Sequence, residues 1–236
     1  ASDLTLDPRL HPGPADGLSG DGTEGAIARL QRRLGFRNPD GRIDPDGTSL
    51  RRLNALLTIG EAELSFPFET SSAWPYVGPG AGMRAFGAWR SGGKRAHAGV
   101  DLYFPDFTTV HAIANGVVTR GPEPFYLKTF ALEVDHGPFV ARYGELAPES
   151  TALVSVGDAV ARGQALGRGG VLTRSNGKRL GVPSMMLHFE MYDKTQTGAL
   201  TRAKGTSARH TNGALFYRRR DLIDPTGFLH RAPLPA

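Results

Sequence analysis

His97-Ala98-Gly99-Val100-Asp101 and, about ninety residues later, Leu187-His188-Phe189-Glu190 are the segments of this chain whose residue types and spacing suit chemistry. Side chains alternate faces along a strand, so a His and an Asp four apart share one face. Gly99 between them puts no side chain in the way. An imidazole and a carboxylate are both good zinc ligands, and His188 supplies a third. Three protein ligands leave a position for water, the composition of a catalytic zinc site rather than a closed structural one. Glu190 lies two residues beyond His188 on the same strand face, where it reads as a group that orients His188 or serves structure.

The surroundings extend this pattern. Phe66-Pro67-Phe68, Arg84-Ala85-Phe86-Gly87 and His97–Leu102 come first, then Val110-His111-Ala112-Ile113-Ala114-Asn115-Gly116-Val117-Val118. Val134-Asp135-His136-Gly137, Arg142-Tyr143-Gly144-Glu145-Leu146, the glycine-punctuated run Val156–Gly167 and Met186-Leu187-His188-Phe189-Glu190 follow in order. Over residues 66–229 this succession resembles the lysostaphin-like zinc endopeptidases of the LytM family, which cut peptides in bacterial cell walls. The resemblance implies a mainly β fold, an antiparallel β-sheet metallopeptidase domain. It also implies Zn²⁺ as cofactor, with His97, Asp101 and His188 as its ligands.

The chain departs from the family at two positions. The closing H-x-H reads Met186-Leu187-His188, so the His that assists catalysis in relatives is Met186 here. The Y-x-H-L segment reads Tyr143-Gly144-Glu145-Leu146, so a second catalytic His is Glu145. Methionine carries no proton near neutral pH and can only pack or line the substrate cleft. A glutamate can act as base beside zinc. A carboxylate near a dication is expected to stay ionised. The residues alone leave open whether Glu145 is a base, a fourth ligand or a plain surface glutamate.

Composition narrows the setting. The chain has 236 residues, no Cys and a formal charge of +5. Thiolate metal sites, cysteine nucleophiles and disulfides are therefore excluded. No run of about 20 apolar residues marks a membrane span. No leader is visible at Ala1, which does not argue against export. The basic clusters Arg32-Arg33, Arg51-Arg52 and Arg218-Arg219-Arg220 lack interleaved aromatics, so nucleic acid is not expected as a partner. Anionic wall polymers suit the basic balance equally well.

These motifs need elements to position them. Residues 1–22 read as an extended arm or linker. Ala26, Ile27, Leu30 and Leu34 recur at helical spacing with Gly35 as a stop. After a turn at Asn38–Gly41, Thr48 is a plausible N-cap for a second helix bearing Leu50, Leu53 and Leu57. Residues 23–58 thus form a small helical unit. It resembles the peptidoglycan-binding domain of wall enzymes, and a structural brace is the other reading.

Residues 60–236 form the β-rich unit. A strand pair is expected over 121–134 with its loop at Pro122-Glu123-Pro124. Two short strands are expected around Val156-Gly157-Asp158, a loop over 171–183 and a polar insertion near the cleft over 193–213. Asp135-His136-Gly137 reads as a hairpin turn.

Three functions are compatible with this reading. The first is a zinc endopeptidase cutting peptidoglycan cross-links, with Glu145 as base. The second is a non-catalytic wall-binding regulator with another wall hydrolase as partner. The third is an antibacterial toxin with the same chemistry. The periplasm, the cell envelope or the exterior is the expected location.

Overall fold

The computed structural model describes residues 19–34, 36, 38–104, 108–148, 153–180 and 185–235. Residues 1–18 of the expected arm, the Gly35 stop and residues 181–183 of the expected 171–183 loop lie outside these residues. The chain forms α1 (Asp21–Arg33), α2 (Thr48–Glu61), β1 (Trp89–Arg90), β2 (Arg95–Ala96), β3 (Val100–Tyr103), β4 (Thr109–His111) and β5 (Gly116–Pro124). Then follow β6 (Phe130–Asp135), β7 (Val140–Leu146), β8 (Ala159–Val160), β9 (Ala165–Arg168), β10 (Met186–Tyr192), β11 (Leu222–Ile223) and α3 (Thr226–Arg231). The main sheet runs β11-β10-β7-β6-β5-β8, with β3 also paired to β10. Its strand pairs are antiparallel. The fold is therefore mainly β and built on an antiparallel sheet, as expected from the sequence, with a small helical N-terminal part.

Strand alternation explains how this sheet carries both a core and a site. On β10, Leu187, Phe189 and Met191 point into the main core, while Met186, His188, Glu190 and Tyr192 take the opposite face. On β3, Val100 and Leu102 join the core and Asp101 takes the other face. Both faces of β10 are buried, so each polar group on it needs a partner.

Several local expectations are corrected. His97 precedes β3 rather than sharing a strand with Asp101, because the chain bends at Ala98-Gly99 between β2 and β3. Gly99 is needed there: a Cβ would come within 2.3 Å of the Phe189 carbonyl oxygen. Pro122-Glu123-Pro124 lies within β5, and the hairpin loop falls at 125–129. Register shifts on β5 between Val118 and Glu123 absorb the prolines without breaking the pairing to β6. The strands β8 and β9 flank the turn at 161–164 rather than Val156–Asp158, and each pairs with a different partner, β5 and β4. The turn at 136–139 does join β6 to β7, with Gly137 donating its N–H to Asp135 Oδ1 at 2.9 Å.

The N-cap of α2 is Gly47, and Thr48 is the first helical residue. A Cβ on Gly47 would come within 2.9 Å of the Asp44 carbonyl oxygen, which accepts the Gly47 N–H. Helix α1 is tied to the following loop by buried Gln31. Its amide donates to Asp40, Arg42 and Ser49 and accepts from the N–H groups of Asp40 and Gly41. Helix α2 is not set apart from the β unit. Leu56 and Ile59 join the main core, and buried Arg52 pairs with Asp193 at 2.6 Å. Arg52 also donates to the carbonyls of Leu34, Arg220 and Leu222.

Candidate metal centre

Asp101 and His188 face each other across the β3–β10 pair, and the bend before β3 brings His97 beside them. His97 Nε2, Asp101 Oδ1 and His188 Nδ1 are each 3.0 Å from the other two. All three residues are buried. A tetrahedral zinc with bonds of about 2.0–2.1 Å needs ligand atoms about 3.3 Å apart, so this triangle fits with a small outward adjustment.

The tautomers agree with that fit. His97 Nδ1 lies 2.9 Å from the Ala85 carbonyl oxygen. A carbonyl only accepts, so Nδ1 carries the proton and Nε2 presents a lone pair. His188 Nε2 lies 2.8 Å from Glu190 Oε1, so Nε2 donates and Nδ1 is the atom available to a metal. Arg90 Nη2 donates to Asp101 Oδ2 at 3.0 Å and leaves Oδ1 toward the histidines.

Charge follows these contacts. Burial pulls the His97 pKa down. Burial opposes ionisation of Asp101, but the two histidines outweigh it and hold the carboxyl below its usual range. Burial also disfavours a charged His188, yet with the protein groups alone its hydrogen bonds to Asp101 and Glu190 raise it to about 9. A bound cation would therefore displace the Nδ1 proton and leave the Nε2 proton donated to Glu190. Glu190 is fully buried and still held well below the usual carboxylate range, because Arg218 and Arg142 overcome the desolvation. Tyr192 donates its hydroxyl to Glu190 Oε2. Arg142 opens the Arg142–Leu146 motif, but nothing in that motif points it at Glu190. Arg218 reads in the sequence only as one residue of a basic run.

Glu145 reaches the site through an irregularity. Two steps on β6, from Phe130 to Leu132, oppose three on β7, from Leu146 to Tyr143. One extra residue therefore sits in β7, and Glu145 takes a left-handed conformation with φ 67°. Tyr143 and Leu146 both stay in the core, so this bulge turns Glu145 out of it. Glu145 is buried near the charges of Asp101, His188 and Arg90, and its Oε2 has no hydrogen-bond partner. It is not a plain surface glutamate. Its carboxyl is pushed up to about 8 by burial and then by Asp101, so the protein groups alone do not keep it ionised. The expectation of an ionised carboxylate holds only with a dication beside it, which reverses the sign of the local charge.

Met186 packs into an apolar cluster with Tyr103 and Leu172. The β5–β6 hairpin loop brings Phe125 to the edge of the site. The Phe125 ring stands 5.7 Å from the His188 ring and against Gly144, where a Cβ would meet Phe125 at 2.7 Å. His111 and His136 bond elsewhere, to the Gly163 carbonyl and to Asn115 and Tyr143. The 193–213 stretch contributes to a small apolar cluster of its own. Leu200, Ala208, Ala214 and Phe216, just past its end, form a small second core with Ala96, Ala98 and Tyr192.

The profile of Peptidase family M23 matches residues 95–199, a span that holds His97, Asp101, His188, Glu145 and Glu190. A zinc-containing peptidase from Vibrio cholerae is similar at 28% identity and a TM-score of 0.32, over 41% of this chain and 26% of that one. This chain thus spans about a quarter of that peptidase's length. The catalytic domain of the antimicrobial peptidase lysostaphin from Staphylococcus simulans is similar at 19% identity and a TM-score of 0.39, over 74% of this chain and 96% of that one. Among the curated proteins none is similar to this chain.

Proposed function

We propose that this protein is a zinc-dependent endopeptidase that hydrolyses peptide cross-links of bacterial peptidoglycan in the periplasm, at the cell envelope or after secretion. The observation that carries the reading is the convergence of His97 Nε2, Asp101 Oδ1 and His188 Nδ1 on one point, with both histidine tautomers fixed from behind. The M23 match over the same residues supports it. No helix of the described residues is long and apolar enough to cross a membrane.

When bound, zinc would supply Lewis acidity toward a scissile carbonyl and toward water. The chain's own groups would do the rest. His97, Asp101 and His188 hold the ion. Arg90 fixes the Asp101 carboxylate. Glu145, the one proton-carrying side chain left at the family's catalytic positions, takes a proton from the attacking water and delivers it to the leaving amine. Met186 and Tyr103 form a dry wall beside this step.

The helical unit is proposed to contact the wall in addition to bracing the β domain through Arg52, Leu56 and Ile59. A second reading, a wall-binding regulator of another hydrolase, draws on the packing of Met186 where relatives carry a histidine. Digestion of purified peptidoglycan, with product mass analysis in the presence and absence of chelator, separates the two. Chelator-sensitive cleavage of cross-links is expected. Binding without cleavage would leave the regulatory reading.

A further inference from the structure

We propose that Arg218 is a positioning residue for His188, acting through Glu190, and that the segment 193–221 is built to present it. The proposal rests on the metal-centre reading above and names what tunes that centre. Arg218 lies beyond the M23-matched span of 95–199.

Glu190 must hold His188 in one orientation. Its Oε1 accepts from His188 Nε2 at 2.8 Å. Two arginines approach the same carboxylate, but not equally. Arg142 gives its short bonds to Glu133, at 2.6 and 3.2 Å, and reaches Glu190 only at 3.5 Å. Arg218 places Nε 2.9 Å from both Glu190 oxygens and Nη2 2.8 Å from Oε1. A planar guanidinium engaging a carboxylate in this way fixes the plane of the carboxylate as well as its charge. That plane sets where Oε1 meets the His188 N–H, and so the direction of Nδ1.

The segment supports this arginine from two sides. Arg218 donates its N–H to Ser207 Oγ, and its carbonyl accepts from Ala208 N–H. On the other side, Arg202 N–H donates to the Tyr217 carbonyl and Arg219 N–H to the Leu200 carbonyl. Tyr217, immediately before it, is held at φ 54°, a conformation that bulky residues rarely adopt. The small core around Leu200, Ala208, Ala214 and Phe216 holds that backbone in place.

The test is zinc affinity of the intact chain by chelator competition, with the absorption spectrum of the Co²⁺-substituted protein as a report on ligand geometry. Arg218→Met is expected to lower zinc affinity about 10–100-fold and to shift the cobalt bands. Arg218→Lys, which restores charge without the fork, should rescue part of the loss. Arg52→Met serves as the control, because Arg52 pairs with Asp193 and not with Glu190. It should lose stability and keep the wild-type affinity. Should Arg218→Met lose only thermal stability and keep wild-type affinity and spectrum, the proposal is overturned. Should it not fold, unchanged affinity and spectrum in Arg218→Lys overturn it instead. Absence of zinc uptake by the wild type would sink the metal-centre reading itself, a distinguishable result.

Discussion

Glu190 within β10 and Asp193 just beyond its end sit three residues apart, both buried, and each faces an arginine from a distant segment. Their difference lies in the third group each carboxylate touches. Glu190 bonds a histidine whose other nitrogen faces the candidate metal point. Asp193 bonds Thr195 and Arg52, and through Arg52 it fastens the helical unit to the sheet. Two acid–arginine pairs of similar chemistry therefore serve different ends, one site geometry and one architecture. A buried ion pair is weak evidence for either role until its remaining hydrogen bonds are followed.

The largest effects should fall at the site. Glu145→Gln keeps the shape of the side chain and removes its base. Peptidoglycan hydrolysis is expected to drop about 10²–10⁴-fold with zinc content unchanged. Loss of zinc along with activity would make Glu145 a ligand. Undiminished hydrolysis would assign the base elsewhere.

Arg52→Met tests the architectural partner. It leaves Asp193 buried without its counter-ion, a change that costs about 3–5 kcal/mol. Urea unfolding should show that loss, while the zinc affinity of the folded fraction stays at the wild-type level. A fall in zinc affinity at Arg52 comparable to that at Arg218 would erase the distinction between the two pairs.

The contrast also marks what the sequence can reveal. His97, Asp101 and His188 are legible because ligand chemistry demands particular residue types, and Glu190 is legible from its place two residues beyond His188. The bulge that aims Glu145 is not legible, since it arises from register between two strands. Arg52, Arg218 and Arg219 appear in the sequence only as members of basic runs. Folding spends all three on buried carboxylates 141, 28 and 2 residues away, so these runs are not free cationic patches. Pro122 and Pro124 suggested a turn because proline usually ends a strand. The bulged register of β5 is a property of the pair, invisible in one strand alone.

A titratable group outside the site sharpens the comparison through pH. Burial pushes His136 down to about 4, and it stays neutral between Asn115 and Tyr143. Because the folded value is below the ordinary 6.5, the unfolded chain binds more protons between these two limits. Its contribution is whole above about pH 6.5 and is lost as pH falls toward 4, up to about 3 kcal/mol. Urea unfolding across that range should show a shallower acid loss for His136→Gln than for the wild type. Equal slopes would mean that His136 is not held neutral.

The smallest effect is expected next to the architectural pair. Lys194 follows Asp193 and binds Asp135 at 2.8 Å through both carboxylate oxygens, and also the Gly137 carbonyl. By distance this pair is as good as Arg52 with Asp193. It differs in exposure, because about a third of each side chain remains open to solvent. Water and salt then screen the attraction, and either partner left alone is rehydrated at little cost. Lys194→Met is therefore expected to cost only about 0.2–1 kcal/mol, and less as salt is raised. Methionine keeps a side chain at a position with φ 59°, so the backbone strain is the same in both proteins. Unfolding measured at low and high salt reads the difference. A loss as large as that of Arg52→Met would show that charge pairing, rather than the burial of an unpaired carboxylate, sets the energy of these clusters.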